Sequence, residues 1–233
     1  MLDGIIFDKD GTLFDFRLSW GRWTRDLLSN LAQPHMPASA LGRVIGYDLA
    51  TGEFASDSPV IAATPPEIAQ MLLPHLPGHT LASLVNQMNS LAANTEMTPA
   101  VVLRPLLLKL RAKGLKIGLA TNDTEAPARA HLAAAGVLDL FDFVSGCDSG
   151  FGGKPAPGQL LAFARQLDLD PKRMAMVGDS HHDLVAGRQA GMYAIAVLTG
   201  IATKAELSDH ADAVLENIDG LPDWIDQLCG SAP

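Results

Sequence analysis

The chain has 233 residues, of which 48% are hydrophobic, 18% charged and 6% aromatic, as is typical of a globular protein with one large or two small domains. Acidic residues outnumber Lys and Arg by nine, and no Lys/Arg cluster offsets this balance, so nucleic acid and anionic membranes are not expected as partners. The two cysteines, Cys147 and Cys229, fit neither a disulfide framework nor a zinc site.

The first predicted element is a short buried strand at residues 4–8, because an apolar run there ends in the turn sequence Asp-Lys-Asp-Gly. Helical periodicity then dominates up to about residue 100, and no strand pattern of similar clarity occurs. We therefore predict a small helical domain inserted after the first strand and covering one edge of the sheet. Its predicted helices are 20–32, 41–50, 65–73 and 81–93.

Strands and helices alternate in the rest of the chain. Strands are predicted at 115–120, 141–145, 174–177 and 193–198, with a weaker pattern at 213–215. Helices are predicted at 104–113, 125–135, 184–190 and 221–228, and the first three end at a glycine, as helix C-termini often do. This alternation predicts an α/β fold, a Rossmann-like parallel sheet flanked by helices. The predicted core domain comprises residues 1–15 and 99–233, and the predicted helical cap domain comprises residues 16–98.

Two carboxylates follow the first strand. Residues i and i+2 at the end of a strand project to the same side, so Asp8 and Asp10 are expected to point together while Lys9 points away. Such a pair could divide its work between an ionised nucleophile and a protonatable acid. Asp10-Gly11 is also a common turn sequence, and an ordinary turn remains the alternative for this segment alone.

Two more carboxylates, Asp179 and Asp183, lie at a later strand-to-helix junction. In an open α/β sheet, ligands bind at the carboxyl ends of strands, where both Asp8 and Asp179 are predicted. Four clustered carboxylates would repel one another, and a hard divalent cation is the usual remedy. The alternative for Asp179 and Asp183 is a helix cap followed by a first-turn acid.

Two further segments offer groups that could bind phosphate. Thr121 and Asn122 end a predicted strand and run into a helix N-terminus, a common phosphate site. Lys154 lies in a loop rich in Gly and Pro and could contribute a positive charge. Each segment alone is equally consistent with an ordinary loop, so their shared position beside predicted strands and helices is the informative observation.

Together these segments resemble the four motifs of the haloacid dehalogenase superfamily, and most of all its phosphoglycolate phosphatase-like hydrolases. The resemblance spans residues 4 to about 200. The motifs that carry it are Phe7-Asp8-Lys9-Asp10-Gly11-Thr12-Leu13, Thr121-Asn122, Gly153-Lys154-Pro155 and Gly178-Asp179-Ser180 with Asp183.

The resemblance implies phosphoryl transfer assisted by Mg²⁺. Asp8 would attack phosphorus and become an aspartyl phosphate, and Asp10 would act as general acid and then general base. Asp8, Asp179 and the backbone carbonyl of Asp10 would hold the metal. Thr121 and Lys154 would stabilise the transferring phosphoryl group.

The remaining motif residues have supporting roles in this interpretation. Asp183 would orient Lys154 or a metal-bound water, while Asn122 would add hydrogen bonds to the substrate phosphate. Ser180 could contribute a further hydrogen bond. Lys9 departs from the usual apolar residue of the family and is expected to form a structural ion pair.

The implied function is hydrolysis of a small phosphorylated metabolite, either phosphoglycolate-like or a sugar phosphate. A phosphomutase of the β-phosphoglucomutase type and a non-catalytic metal- or phosphate-binding regulator remain alternatives. A phosphonatase is not expected, because residues 14–100 contain no lysine for a Schiff base. The predicted cap contains four arginines, Arg17, Arg22, Arg25 and Arg43. One of them could bind a second anionic group of the substrate, or all four could face water.

The location and assembly of the protein are also expectations at this stage. The residues after Met1 lack the basic segment of a signal peptide, and no stretch reaches about 18 uninterrupted apolar residues. A cytoplasmic protein with no membrane partner is therefore expected. Either a monomer or a homodimer is consistent with the sequence.

Overall fold

A computed structural model describes residues 2–230, so residues 1 and 231–233 of the predicted core domain lie outside the described residues. Six strands form one sheet in the order β5-β4-β1-β6-β7-β8, and every neighbouring pair is parallel. This confirms the predicted parallel α/β sheet. The strands of the sheet are β1 (Gly4–Phe7), β4 (Lys116–Ala120), β5 (Phe143–Ser145), β6 (Met174–Gly178), β7 (Tyr193–Val197) and β8 (Ala213–Leu215).

The central strand β1 is short and wholly apolar. All four of its residues are buried, because the strand is covered on both faces. A strand in that position has no solvent-facing side, so its sequence does not alternate between apolar and polar residues.

Helices on both faces of the sheet complete the core. They are α5 (Leu103–Ala112), α6 (Glu125–Ala134), α7 (Gly158–Gln166), α8 (His181–Ala190), α9 (Lys204–Ser208) and α10 (Leu221–Gly230). Helix α8 begins three residues before its predicted start, because Ser180 and Asp183 form a capping box at its N-terminus. The short helix α9 was not predicted.

Residues 16–98 form a helical insert with its own hydrophobic cluster, which includes Trp23, Leu28, Leu72 and Met88. Its helices are α1 (Phe16–Leu31), α2 (Ala38–Val44), α3 (Pro65–Leu72) and α4 (Leu81–Ala93). Helix α4 packs against α6 of the core. A separate cap domain with these limits stays a prediction.

The predicted helix at 41–50 is wrong in its second half. Helix α2 ends at Val44, and Gly46 then adopts a positive φ of 65°. Two short antiparallel strands follow, β2 (Tyr47–Asp48) and β3 (Glu53–Phe54). Asp48 stabilises the intervening turn because its carboxylate accepts a hydrogen bond from the backbone N–H of Ala50.

The chain enters and leaves the insert at neighbouring points. The backbone N–H of Asp15 donates to the carbonyl of Thr98 at 2.8 Å, and that of Ala100 donates to Leu13 at 2.9 Å. Asp15 also caps helix α1. We call this pairing the seam.

Within residues 2–230, no helix combines the length and apolar content needed to cross a bilayer.

Candidate active site

The proposed catalytic residues lie where three neighbouring strands end. Strand β1 pairs with both β4 and β6, and the three strands finish at the same level. Asp8, Thr121 and Asp179 directly follow these strands and line one cleft between the sheet and the helical insert. The side chains of Asp10, Lys154 and Asp183 also line it.

Three buried carboxylates cluster at the floor of the cleft. Asp8, Asp179 and Asp183 each offer an oxygen within 4.8 Å of the other two. Oδ2 of Asp8 is buried and accepts no hydrogen bond within the described residues. An oxygen-rich, anionic cluster with an unsatisfied ligand atom is the environment that Mg²⁺ prefers, so the residues present fit this ion.

The electrostatics of the cluster support the same conclusion. Burial raises the pKa of Asp8 to about 7, with Lys154 opposing the shift and Asp183 adding to it. Burial and the neighbouring Asp8 likewise raise the pKa of Asp179 well above its ordinary value. A nucleophilic carboxylate must be ionised, and a divalent cation beside it would restore the ionised form.

Lys154 connects two of these carboxylates. Its Nζ donates to Oδ1 of Asp8 and to Oδ1 of Asp183, both at 2.6 Å. Burial disfavours the ammonium, but Asp183 and Asp8 outweigh burial and raise its pKa, so the side chain is charged. The other oxygen of Asp183 accepts from the N–H and hydroxyl of Ser180. Asp183 therefore holds Lys154 in place, and Ser180 in turn holds Asp183.

Glycines allow the chain to pass close to Asp179. A Cβ at Gly11 or at Gly200 would overlap the Asp179 carboxylate. Gly11 also has a φ of 88°, a conformation that side chains disfavour. Thr199 holds the two segments together, since its hydroxyl donates to the carbonyl of Gly11 at 2.6 Å. The sequence alone did not indicate Gly200 and Thr199, because they lie outside the four motifs.

Asp10 has a different partner from the other carboxylates. Its Oδ2 lies 3.3 Å from Nζ of Lys9, which also donates to Asp123 at 2.7 Å. The predicted structural ion pair of Lys9 is thus present, but Lys9 does not point away from Asp10, because the buried ammonium needs more than one acceptor. Burial raises the pKa of Asp10 and Lys9 opposes the shift, leaving it raised, as suits a general acid.

His131 completes the surroundings of Lys9. Because an ammonium only donates, Nδ1 of His131 accepts from Lys9 at 3.0 Å, and Nε2 donates to the carbonyl of Ala92 at 2.7 Å. Burial and Lys9 lower the pKa of His131 to about 4, so the imidazole is neutral near pH 7. Ala92 belongs to helix α4, so this chain of contacts joins Asp10 to the helical insert.

Thr121 and Asn122 lie beside the cleft but make different contacts. The Thr121 hydroxyl accepts from the N–H of Asp123 at 3.1 Å and can still donate its own proton into the cleft. Asn122 donates to the carbonyls of Ala62 and Lys154 and accepts from the N–H of Lys154. Its amide therefore positions the Lys154 loop, and a direct contact between Asn122 and phosphate stays a prediction.

Gln159 is a supporting residue that the sequence did not reveal. Its amide nitrogen donates to the carbonyl of Thr121 at 3.1 Å and to that of Gly152 at 2.9 Å, which links the two loops.

Cys147 is a free thiol whose pKa is raised to about 12, chiefly by burial, so it is not a nucleophile near neutrality. The side chain of Cys229 lies outside the described residues.

The arginines of the insert do not line the cleft. Arg17 pairs with Glu53 at 2.6 Å and Arg22 lies 3.6 Å from Glu96, both at the exposed surface. Arg25 and Arg43 are exposed as well. These positions match the alternative in which the four arginines face water.

The comparisons with known proteins agree with this site. A family model for haloacid dehalogenase-like hydrolases matches residues 2–191. The chain is 32% identical to the probable phosphatase IndB of Dickeya dadantii, over 87% of this chain and 84% of that protein. It is 29% identical to a phosphoglycolate phosphatase of Rhodospirillum rubrum, over 97% of this chain and 91% of that protein.

A solved structure shows the same fold. The crystal structure of a predicted phosphoglycolate phosphatase from Haemophilus somnus superposes with a TM-score of 0.76 at 18% identity, covering 96% of this chain and 98% of that chain. The parallel α/β sheet carries the carboxylates of the site at its strand ends, and the family model is that of a hydrolase. The chain belongs to the haloacid dehalogenase-like hydrolases.

Proposed function

We propose that the protein is a magnesium-dependent phosphatase that hydrolyses the phosphate monoester of a small metabolite through an aspartyl phosphate on Asp8. The observation that carries this proposal is the buried carboxylate cluster, in which Asp8 lies beside Asp179 and contacts Lys154. The family model and the similarity to proteins named as phosphatases support the same reaction class.

The first half of the reaction uses Asp8 and Asp10. The Asp8 carboxylate forms a bond to phosphorus as the bond from phosphorus to the ester oxygen breaks, and protonated Asp10 gives its proton to the departing alkoxide. Lys154 and the Thr121 hydroxyl stabilise the negative charge on the phosphoryl oxygens. The products of this half are the free alcohol and the aspartyl phosphate.

The second half regenerates the enzyme. Asp10, now ionised, takes a proton from a water molecule whose oxygen forms a bond to phosphorus, and the bond from phosphorus to Asp8 breaks. Inorganic phosphate leaves and both carboxylates return to their starting states. Mg²⁺, which Asp8, Asp179 and the backbone carbonyl of Asp10 would hold, neutralises the carboxylates and polarises the phosphoryl group when bound.

Phosphate release from 4-nitrophenyl phosphate tests this proposal. We expect turnover with Mg²⁺, none after chelation by EDTA, and loss of activity in Asp8→Asn, whose amide keeps the shape of the carboxylate but cannot attack. An inactive wild-type protein that still binds phosphate would support the regulator instead. Isomerisation of a sugar phosphate without release of phosphate would support the mutase.

A further inference from the structure

The helical insert gives the cleft a strongly apolar wall. Side chains from α1, the loop before α3, α3 itself and α4 line the half of the cleft contributed by the insert, and they include Phe16, Trp20, Trp23, Val60, Ile68 and Met88. Trp20 and Trp23 pack against each other at a ring-centroid distance of 4.9 Å, but both also line the cleft.

The same wall offers no positive charge to a substrate. Among the described residues that line the cleft, Lys154 is the one Lys or Arg, and it already contacts Asp8 and Asp183. The one histidine among these lining residues, His182, belongs to the core and not to the apolar wall. A carboxylate on a leaving group held against that wall would therefore lose its hydration without gaining a lysine or arginine partner. Burial of an unpaired charge is strongly unfavourable.

Two polar atoms interrupt the apolar wall. Nε1 of Trp20 faces Asp10, and a hydrogen bond from this indole helps to lower the pKa of that carboxyl. Oδ1 of Asn89 is buried and lacks a hydrogen-bond partner within the described part of the chain. Both residues line the cleft. Buried polar groups are normally satisfied, so a ligand with one donor would satisfy Asn89. A polyol offers many more hydroxyls than this one group can satisfy.

We propose that the leaving group of the substrate is an uncharged, largely apolar alcohol that carries at most a few polar groups. This inference rests on the proposed phosphatase function and narrows its substrate class. It differs from the phosphoglycolate-like or sugar phosphate substrate implied by the family resemblance, because those leaving groups are anionic or rich in hydroxyls.

The test compares three phosphate esters that all release a primary alkoxide, so that leaving-group reactivity is similar: benzyl phosphate, phosphoglycolate and glycerol 3-phosphate. We expect kcat/KM for benzyl phosphate to exceed the other two by at least about tenfold, since apolar contact favours it and desolvation disfavours the others. A preference for phosphoglycolate or glycerol 3-phosphate would overturn this inference and leave the proposed function intact. Release of phosphate from none of the three, nor from 4-nitrophenyl phosphate, would overturn the proposed function itself.

A pair of variants at Ile61 tests the missing charge directly. Ile61 is partly exposed at the mouth of the cleft and packs at the margin of the insert's hydrophobic cluster, so two polar substitutions there lose similar packing. Ile61→Arg should lower the ratio of kcat/KM for benzyl phosphate to that for phosphoglycolate by about tenfold, because a cation now meets the carboxylate. Ile61→Gln is the uncharged control and should shift this ratio much less. Equal ratios in the two variants, at matched thermal midpoints, would contradict the inference.

Discussion

The ammonium of Lys9 lies 3.3 Å from the carboxylate of Asp10, the residue proposed as general acid. The same ammonium contacts Asp123 and His131, and it lies 5.2 Å from the ring centroid of Trp20. The buried ammonium thus balances the negative charge of two carboxylates, and its contact with His131 connects it to the helical insert. The charge balance around Asp10 therefore depends on residues more than 100 positions away.

Removal of this cation should destabilise the protein. Lys9→Met leaves the partly buried carboxylates of Asp123 and Asp10 without their partner, and we expect a loss of about 3 kcal/mol in the free energy of unfolding. Urea denaturation measures this loss. The double variant Lys9→Met/Asp123→Asn should recover part of it, because one uncompensated charge is removed. No recovery in the double variant would show that Asp123 is not the main partner.

The contribution of Asp8 to the stability of the metal-free protein should fall as the pH rises. The pKa of Asp8 is raised to about 7 by burial and its neighbours, so the folded state binds a proton that the unfolded state loses near pH 4. The stabilisation is complete below pH 4 and is lost as the pH rises through 7. Asp8→Asn lacks this dependence, so its stability relative to the wild type in EDTA should rise by up to about 4 kcal/mol between pH 4 and pH 8.

Thermal midpoints at pH 4 and pH 8 measure the difference between the wild type and Asp8→Asn. Mg²⁺ at pH 8 should raise the midpoint of the wild type and have much less effect on the variant, because ligands stabilise the state that binds them. A difference that is independent of pH would contradict the raised pKa of Asp8.

His131 should make the protein sensitive to acid. Burial and Lys9 lower its pKa to about 4, so protonation favours the unfolded state. The effect is absent above pH 6.5, grows as the pH falls, and reaches about 3 kcal/mol below pH 4. His131→Gln stays neutral and should lose less stability than the wild type between pH 6.5 and 4. Parallel stability curves for the two proteins would argue against this assignment.

A methyl group at Gly200 should disrupt the carboxylate cluster. Its Cβ would overlap Asp179, so Gly200→Ala must displace that carboxylate or the chain around it. We expect a fall in kcat of about a hundredfold, since a displacement of 1 Å at a catalytic site can have that effect. Weaker Mg²⁺ binding, measured by calorimetry, should accompany it.

Gly21→Ala is the matched control for this variant. Gly21 lies in helix α1, where a Cβ would meet its nearest neighbour at 4.0 Å. Activity should be unchanged, and stability should rise by up to about 1 kcal/mol because alanine favours the helix. Full activity in Gly200→Ala would show that the cluster tolerates displacement of Asp179.

The sequence predicted the parallel sheet because its signals are local. Asp8 and Asp179 each follow an apolar run directly, and parallel strands bring their carboxyl ends to one edge. The acceptors of Lys9 could not be identified, because Asp123 and His131 lie 114 and 122 residues further along the chain. A buried lysine requires acceptors, but composition does not say which ones.

The helical insert was harder to predict for two other reasons. Strands β2 and β3 have two residues each, too few to show an alternating pattern. Trp20 and Trp23 have the spacing of a buried helix face, and that pattern is the same whether the face packs against protein or borders a cleft. The apolar wall of the cleft could therefore be recognised only in the three-dimensional structure.

The seam places the two ends of the helical insert next to each other. Because Asp15 and Thr98 are hydrogen-bonded neighbours, a different segment spliced between them would close with little cost in chain entropy. The residues proposed for phosphoryl transfer lie on one side of this junction. Most residues of the apolar wall of the cleft lie on the other. Exchange of the insert could thus change the substrate of the enzyme without rebuilding its carboxylate cluster.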